Sequence, residues 1–179
     1  MGVIPVTICK RQRILIFVDI VLQGLFYAFA CAGYLFLVEI TFSPRVWGYQ
    51  DYPRAVKERV PPQTRREKTL AAVIGLPWLV FFLGFPLVST YMLKIQLGGD
   101  ISLIVAFLNS FTLFSFFNIV DLVLLDWLVI SKITPNFVII PGTQARDYKN
   151  LSEHYRGHIW GIVGMALLSL VFAVAVSVF

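Results

Sequence analysis

The stretch ISLIVAFLNSFTLFSFFNIVDLVLLDWLVI, residues 101–130, contains no charged side chain except Asp121 and Asp126. A helix needs about 20 apolar residues to cross the hydrocarbon core of a bilayer, so this run is long enough to span it. A carboxylate at bilayer depth costs at least about 2.5 kcal/mol unless it has a partner, a water-filled cavity or a proton. The run therefore predicts a membrane-spanning helix that carries a polar site.

Three further apolar runs, residues 14–42, 69–93 and 157–179, have the length of membrane spans. The 179-residue chain is 58% hydrophobic and 14% charged, whereas soluble domains carry about 25% charged residues. We predict an all-α fold, with residues 1–179 forming a single transmembrane domain. It is an integral membrane four-helix bundle whose two longer loops, residues 43–68 and 131–156, lie on the same face.

The basic residues lie between the apolar runs. The two long loops contain eleven Lys and Arg residues, whereas the amino-terminal tail and the short loop at residues 94–100 contain four. The positive-inside rule then predicts that the long loops are cytoplasmic and that both termini lie outside. Besides the lipid bilayer, we expect anionic lipid headgroups to contact the basic loops, for example at Arg65 and Arg66, and we expect no nucleic-acid partner.

Acidic residues inside the apolar runs are candidate ligand-binding or ion-binding residues. Glu39 ends the first run at the long-loop face, and Asp121 and Asp126 approach the same face near the end of the third run. Asn118 lies three residues before Asp121 and is its expected neighbour. Asp19 is a fifth candidate, near the opposite end of the first run. Most of the polar chemistry is therefore predicted at one end of the bundle.

Asp121 and Asp126 are five residues apart, which corresponds to about 140° around an α-helix. We therefore expect the two carboxylates to point in different directions. Asp121 is the deeper of the two and has the stronger functional interpretation. Asp126 precedes Trp127 and resembles an interfacial anchor.

His154 and His158 are separated by four residues, so both lie on one side of a helix. Two imidazoles at this spacing suit a divalent metal ion, with Glu39, Asp121 or Asp126 as a carboxylate ligand. The alternative is a pair of histidines in the boundary region that binds no metal. No cofactor is firmly implied, and a divalent metal stays an open alternative.

Small and polar residues indicate where helices pack. Gly24, Ala28 and Ala32 form a stripe that allows close approach of a second helix. In the third run a polar residue recurs at every third position and drifts around the helix, so the ends of the series face different directions. The series suits either a winding hydrophilic path or hydrogen bonds to two neighbouring helices; its members are Asn109, Thr112, Ser115, Asn118 and Asp121.

The stretch DLVLLDWLVISKITPNFVIIPGT, residues 121–143, followed by His154 and Gly157, resembles an uncharacterised family of small multi-pass bacterial membrane proteins. The resemblance covers about a third of the chain. It implies a location in the bacterial cytoplasmic membrane, and it carries over no activity and no site residue.

Three functions compete at this point. We favour binding or transport of a cation, a proton or an amphiphilic small ligand, with Asp121 central and Glu39 and Asp19 as partner groups. The second is an accessory or structural subunit of a larger membrane complex, and a homo-oligomer is a further open alternative. The third is a metal-dependent membrane enzyme that acts on a lipid-like substrate through His154 and His158.

Overall fold

The computed structural model describes residues 10–178, with side chains from residue 14 onward. Residues 1–9 and 179 of the predicted single domain lie outside the described residues. Residues 10–178 contain helices and no strand, which confirms the predicted all-α class for this part of the chain. The α-helices are α1 (Lys10–Thr41), α2 (Pro44–Trp47), α3 (Arg54–Lys57), α4 (Arg65–Gln96), α5 (Leu103–Val120) and α6 (Leu151–Val178).

Two other helical segments complete the chain. The helix of α5 continues without a break as a π-helix over Asp121–Ile133, and a 3₁₀ turn over Ala145–Tyr148 precedes α6. Four helical segments are long and apolar enough to cross a membrane: Ile14–Thr41, Arg65–Gln96, Leu103–Ile133 and Ala145–Val178. They correspond to the four apolar runs of the sequence.

Local sequence explains where the long helices begin. Thr64 and Glu67 form a capping box at the start of α4, in which each side chain accepts a hydrogen bond from the other residue's backbone N–H. Glu67 also forms an ion pair with Arg45, with the Arg45 Nε atom 2.7 Å from Oε1. At the start of α5, the hydroxyl of Ser102 accepts from the N–H of Val105. These contacts satisfy backbone donors that have no partner within the helix.

The helix α5 lies at the centre of the bundle and packs most extensively against α1 and α6. Gly24, Ala28 and Ala32 of α1 are all buried, as their small-residue pattern predicts. The packed interior, which we call the aromatic cluster, is centred on Tyr27, Ala28, Cys31, Leu113, Phe114, Phe117 and Phe172. The hydroxyl of Tyr27 donates to the carbonyl of Phe82 in α4 at 2.9 Å, so this buried polar group has a partner.

The two long loops fold together as a cap over one end of the bundle, formed by residues 43–64 and 134–150. The hydroxyl of Tyr52 donates to the carbonyl of Val138 at 3.0 Å, and Tyr52 and Tyr148 pack edge to face. Arg59 forms an ion pair with Asp147 at 2.8 Å. The cap therefore has a small core of its own.

At Gly24, α1 packs closely against α5. A Cβ atom there would lie 2.9 Å from the ring of Phe116, whereas a Cβ at Gly33 of the same helix would meet no atom within 4 Å. We predict that Gly24→Ala is less stable than Gly33→Ala by at least about 1 kcal/mol, because the added methyl group overpacks a close contact. Gly33→Ala should be neutral or stabilising, since alanine favours the helix. Thermal unfolding of both variants in detergent tests this, and equal midpoints would contradict it.

Candidate functional site

A cavity of about 520 Å³ lies beneath the cap, between the ends of α1 and α5, the π-helix and the start of α6. The helix α1, the helix α5 with its π-helical continuation, and α6 bring polar groups to it at the ends that face the cap. Glu39 comes from the last turn of α1, and His154 and His158 come from the first two turns of α6. The polar residues of the wall are Glu39, Gln50, Asp51, Tyr52, Lys57, Asn118, Asp121, Asp126, Glu153, His154 and His158.

The carboxylate of Asp126 lies between the two histidines. Its Oδ2 atom is 3.0 Å from Nδ1 of His154 and 2.8 Å from Nε2 of His158. A carboxylate oxygen only accepts hydrogen bonds, so each of these ring nitrogens carries a proton. Asp126 is therefore an internal partner of both histidines.

The π-helix explains why Asp121 and Asp126 share a cavity. Its N–H groups bond to carbonyls five residues earlier, as in the bond from Thr134 N to Val129 O at 2.8 Å. Each hydrogen-bonded ring therefore contains one more residue than in an α-helix, and residues five apart lie nearly one above another. Both carboxyl groups line the cavity wall. The expectation that they point in different directions was wrong, because it assumed α-helical geometry.

The π-helix ends at Thr134, which has a left-handed backbone conformation with φ of 51°. This conformation is strained for a β-branched residue. The Thr134 hydroxyl donates to the carbonyl of Ile130 at 2.8 Å and accepts from the ammonium group of Lys149 at 2.9 Å. The cap thus holds the end of the π-helix in place.

Two buried polar atoms on the cavity wall have no hydrogen-bond partner among the described residues. One is Oε2 of Glu39, whose side chain belongs to a residue that is only 4% exposed. The other is Nε2 of His154, the ring nitrogen that Asp126 does not use. A buried polar atom without a partner is costly, and native proteins rarely leave one unless a water or a ligand completes it.

Asn118 and Asp121 both line the cavity, as their spacing in the sequence predicts. Asn118 is buried, and its amide nitrogen would lie 3.4 Å from a Cβ placed at Gly161 of α6. At this glycine α6 therefore packs closely against Asn118, and the two residues form adjacent parts of the cavity wall. At the other end of the polar series, Asn109 faces α4 instead and donates to Thr90 at 3.0 Å. The ends of the series thus face different helices, as expected.

The charge of the cavity wall is strongly unbalanced. Five carboxyl groups line it, whereas Lys57 is the sole lysine or arginine among the described lining residues. The ammonium group of Lys57 already donates to the carbonyl of Gln50. Like charges in a poorly hydrated space repel one another strongly, so the wall favours a cation or a proton within it.

Asp51 brings one of these carboxyl groups from the cap. Shielding from water by the surrounding protein raises its pKa, and the charge of Asp126 raises it further. Lys57 and His154 act in the opposite direction but do not cancel the increase. Asp51 therefore lines the cavity, and its pKa depends on the charge of Asp126, another acid of the wall.

Asp19 does not belong to this cavity. Its carboxylate accepts from the Gln23 side chain at 2.8 Å, and Gln23 accepts from the hydroxyl of Ser89 at 2.6 Å. Asn109 donates in turn to Ser89 at 3.2 Å. This network joins α1, α4 and α5 in the half of the bundle away from the cap. Structurally it is a hydrogen-bonded contact between helices.

A metal ion bound by the histidine pair and a neighbouring acid stays a prediction. Over residues 10–178, no group of three or more His, Cys, Asp or Glu side chains is arranged to hold a metal ion. Both imidazoles instead face one oxygen of Asp126.

Asp51, Lys57 and Glu153 are site residues that the sequence patterns did not single out. They lie in or next to the long loops, where no helical periodicity indicates which way a side chain points. The one available signal was that Asp51 is an acid within a loop rich in basic residues. That signal alone does not distinguish a cavity acid from a solvated one.

Comparisons with protein-family models, with curated proteins and with solved structures found no match to this chain.

The arrangement around Asp126 predicts the tautomer of each histidine. Nδ1 of His154 and Nε2 of His158 should both be protonated, because each donates to the same carboxylate oxygen. Nitrogen-15 NMR of histidine-labelled protein tests this directly. The chain has only two histidines, so a His158→Gln variant assigns both signals. An unprotonated Nδ1 in His154 would contradict the geometry.

The raised pKa of Asp51 predicts a pH-dependent stability effect. The folded protein keeps this proton to higher pH than the unfolded chain does, so the contribution of Asp51 to stability falls as pH rises above about 4. Asp51→Asn removes that loss. Asp51 is exposed, so solvent screening limits the effect. We expect the variant to unfold at a slightly higher temperature than wild type at pH 7, and the difference to disappear near pH 4. Asp100→Asn is the control, because Asp100 is also exposed but lies in the short loop and not among the lining residues of the cavity; an equal gain there would contradict the assignment.

Proposed function

We propose that this chain is an integral membrane protein with four spans, and that its acidic cavity binds a cation. Four long apolar helices support the membrane assignment. Large apolar side chains are exposed along all four of them, for example Phe17, Val80, Ile104 and Val171. Exposed apolar surface of this extent suits lipid rather than water.

The distribution of basic residues supports a cytoplasmic position for the cap, with both termini outside. On this orientation the cavity lies at the cytoplasmic end of the bundle. Arg65, Arg66 and Lys68 are exposed at the first turns of α4, where they would meet anionic lipid headgroups. The resemblance to small multi-pass bacterial proteins supports the bacterial cytoplasmic membrane as the location.

The observation that carries the cation proposal is Glu39. Its carboxyl group is buried in the cavity wall, and one oxygen has no hydrogen-bond partner among the described residues. Asp121 lines the same space, and no arginine among the described lining residues neutralises either group. A buried charge is retained only when something compensates it. A bound cation does so directly, whereas an anion would add to the repulsion.

Binding has more support than passage through the bundle. The aromatic cluster lies between the cavity and the network around Asp19, with Phe114 and Phe117 from α5 and Phe172 from α6. Its side chains are packed and buried. Transport would require the helices to separate at this cluster, whereas binding from the cap side requires no such movement.

The test is cation binding by purified protein in phosphatidylcholine nanodiscs, measured as a shift of the unfolding temperature with Na⁺, K⁺, Mg²⁺ and alkylammonium salts. At least one cation should stabilise the wild type. In Glu39→Gln and Asp121→Asn the affinity should fall at least about tenfold, which corresponds to one charge-assisted hydrogen bond.

Asp19→Asn is the matched control, because it removes a carboxylate from the same helix as Glu39 but outside the cavity. This variant should keep the affinity of the wild type. If none of these cations stabilises the protein, or if the two cavity variants respond like wild type while remaining folded, the proposal is overturned.

A further inference from the structure

The shape of the cavity, together with its charge, indicates the class of cation. Sites for small organic ligands usually measure about 300–1,000 Å³, and this cavity of about 520 Å³ falls within that range. A metal ion needs several ligand atoms about 2.0–2.6 Å away on all sides. The described carboxyl groups are instead distributed around the wall, and no metal-ligand group forms.

The deep end of the cavity is apolar. Leu35 lies four residues before Glu39 in α1, and Phe117 lies four residues before Asp121, so each is about 6 Å farther from the cap. Met165 lies seven residues after His158, about 10 Å farther along α6. All three side chains line the cavity. The acids therefore lie above an apolar floor.

The upper wall contains aromatic rings as well as acids. Trp47 and Tyr52 of the cap both line the cavity and pack edge to face, with ring centroids 5.6 Å apart. The indole N–H of Trp47 donates to the carbonyl of Phe42 at 3.1 Å, so the orientation of this ring is fixed. Aromatic faces attract organic ammonium groups through cation–π interactions.

From these observations we propose that the ligand is a primary ammonium ion that carries a short apolar chain. The ammonium group lies among Glu39, Asp121 and Asn118, where it completes the unpartnered oxygen of Glu39. The apolar chain extends toward Leu35, Phe117 and Met165. This inference rests on the proposed cation-binding function and names its ligand class.

The probe is hexylammonium, compared with hexanoate and 1-hexanol, which have the same chain but a negative charge or none. Binding is measured by calorimetric titration of the protein in phosphatidylcholine nanodiscs, and the signal of empty nanodiscs is subtracted. Hexylammonium should bind at least tenfold more tightly than 1-hexanol, and hexanoate should not bind. Affinity should also increase from methylammonium to hexylammonium, by up to about fourfold for each added methylene that reaches the floor.

Two variants of α6 test whether hexylammonium binds in the cavity or elsewhere on the protein. Gly157 and Gly164 are both exposed, and a Cβ at either would meet no atom within 4 Å. They differ in that Gly157 lines the cavity and Gly164 does not. Gly157→Leu should fill part of the cavity and weaken hexylammonium binding at least tenfold. Gly164→Leu should bind like wild type. Equal affinities in these two variants, with both folded, would place the probe outside the cavity and overturn the inference.

Failure of this inference can be told apart from failure of the proposed function. If K⁺ or Mg²⁺ binds in a Glu39-dependent manner but hexylammonium binds no better than 1-hexanol, the ligand class is wrong and cation binding stands. If no cation binds in a Glu39-dependent manner, both are overturned.

Discussion

The carboxylate of Asp126 joins the π-helix to the first two turns of α6, and the arrangement of the cavity depends on this contact. One oxygen is hydrogen-bonded to Nε2 of His158 and lies 3.0 Å from Nδ1 of His154. A half-buried carboxylate would be costly without such donors, and each charge-assisted hydrogen bond contributes about 1.5–3 kcal/mol. The carboxylate of Asp126 therefore has partners. The negative charge that has no such partner belongs to other acids of the cavity wall.

Those acids are held together by packing rather than by mutual attraction. The last turn of α1 carries Glu39, the π-helix carries Asp121 and the cap carries Asp51. The contact between Tyr52 and Val138 holds the two loops of the cap over all of them. The free energy of the aromatic and aliphatic packing therefore maintains a group of like charges that would separate in a flexible chain. On the proposed cation-binding function, a bound cation relieves this repulsion.

Parts of the site could be predicted from helix direction alone. Glu39, Asp121 and the histidine pair lie near the ends of long apolar runs, and antiparallel spans bring those ends to one face. The relation between Asp121 and Asp126 could not be predicted, because it depends on π-helical hydrogen bonds within a run that reads as an ordinary α-helix. Asp51 could not be predicted either, since a loop has no periodicity from which to infer direction.

The apolar runs of the sequence are enough to indicate four long helices, with four of the ten acidic residues inside them. The physical reason is that an apolar run of sufficient length buries its backbone polar groups only as a helix. The tertiary structure decided which of those acids share a space. Asp19 lies in a hydrogen-bonded contact between helices, and Asp126 lies between two imidazoles. Glu39 and Asp121 face one cavity because α1, α5 and α6 pack beneath a folded cap. The direction of a side chain depends on helix geometry and on the close approach of neighbouring helices, as well as on residue type.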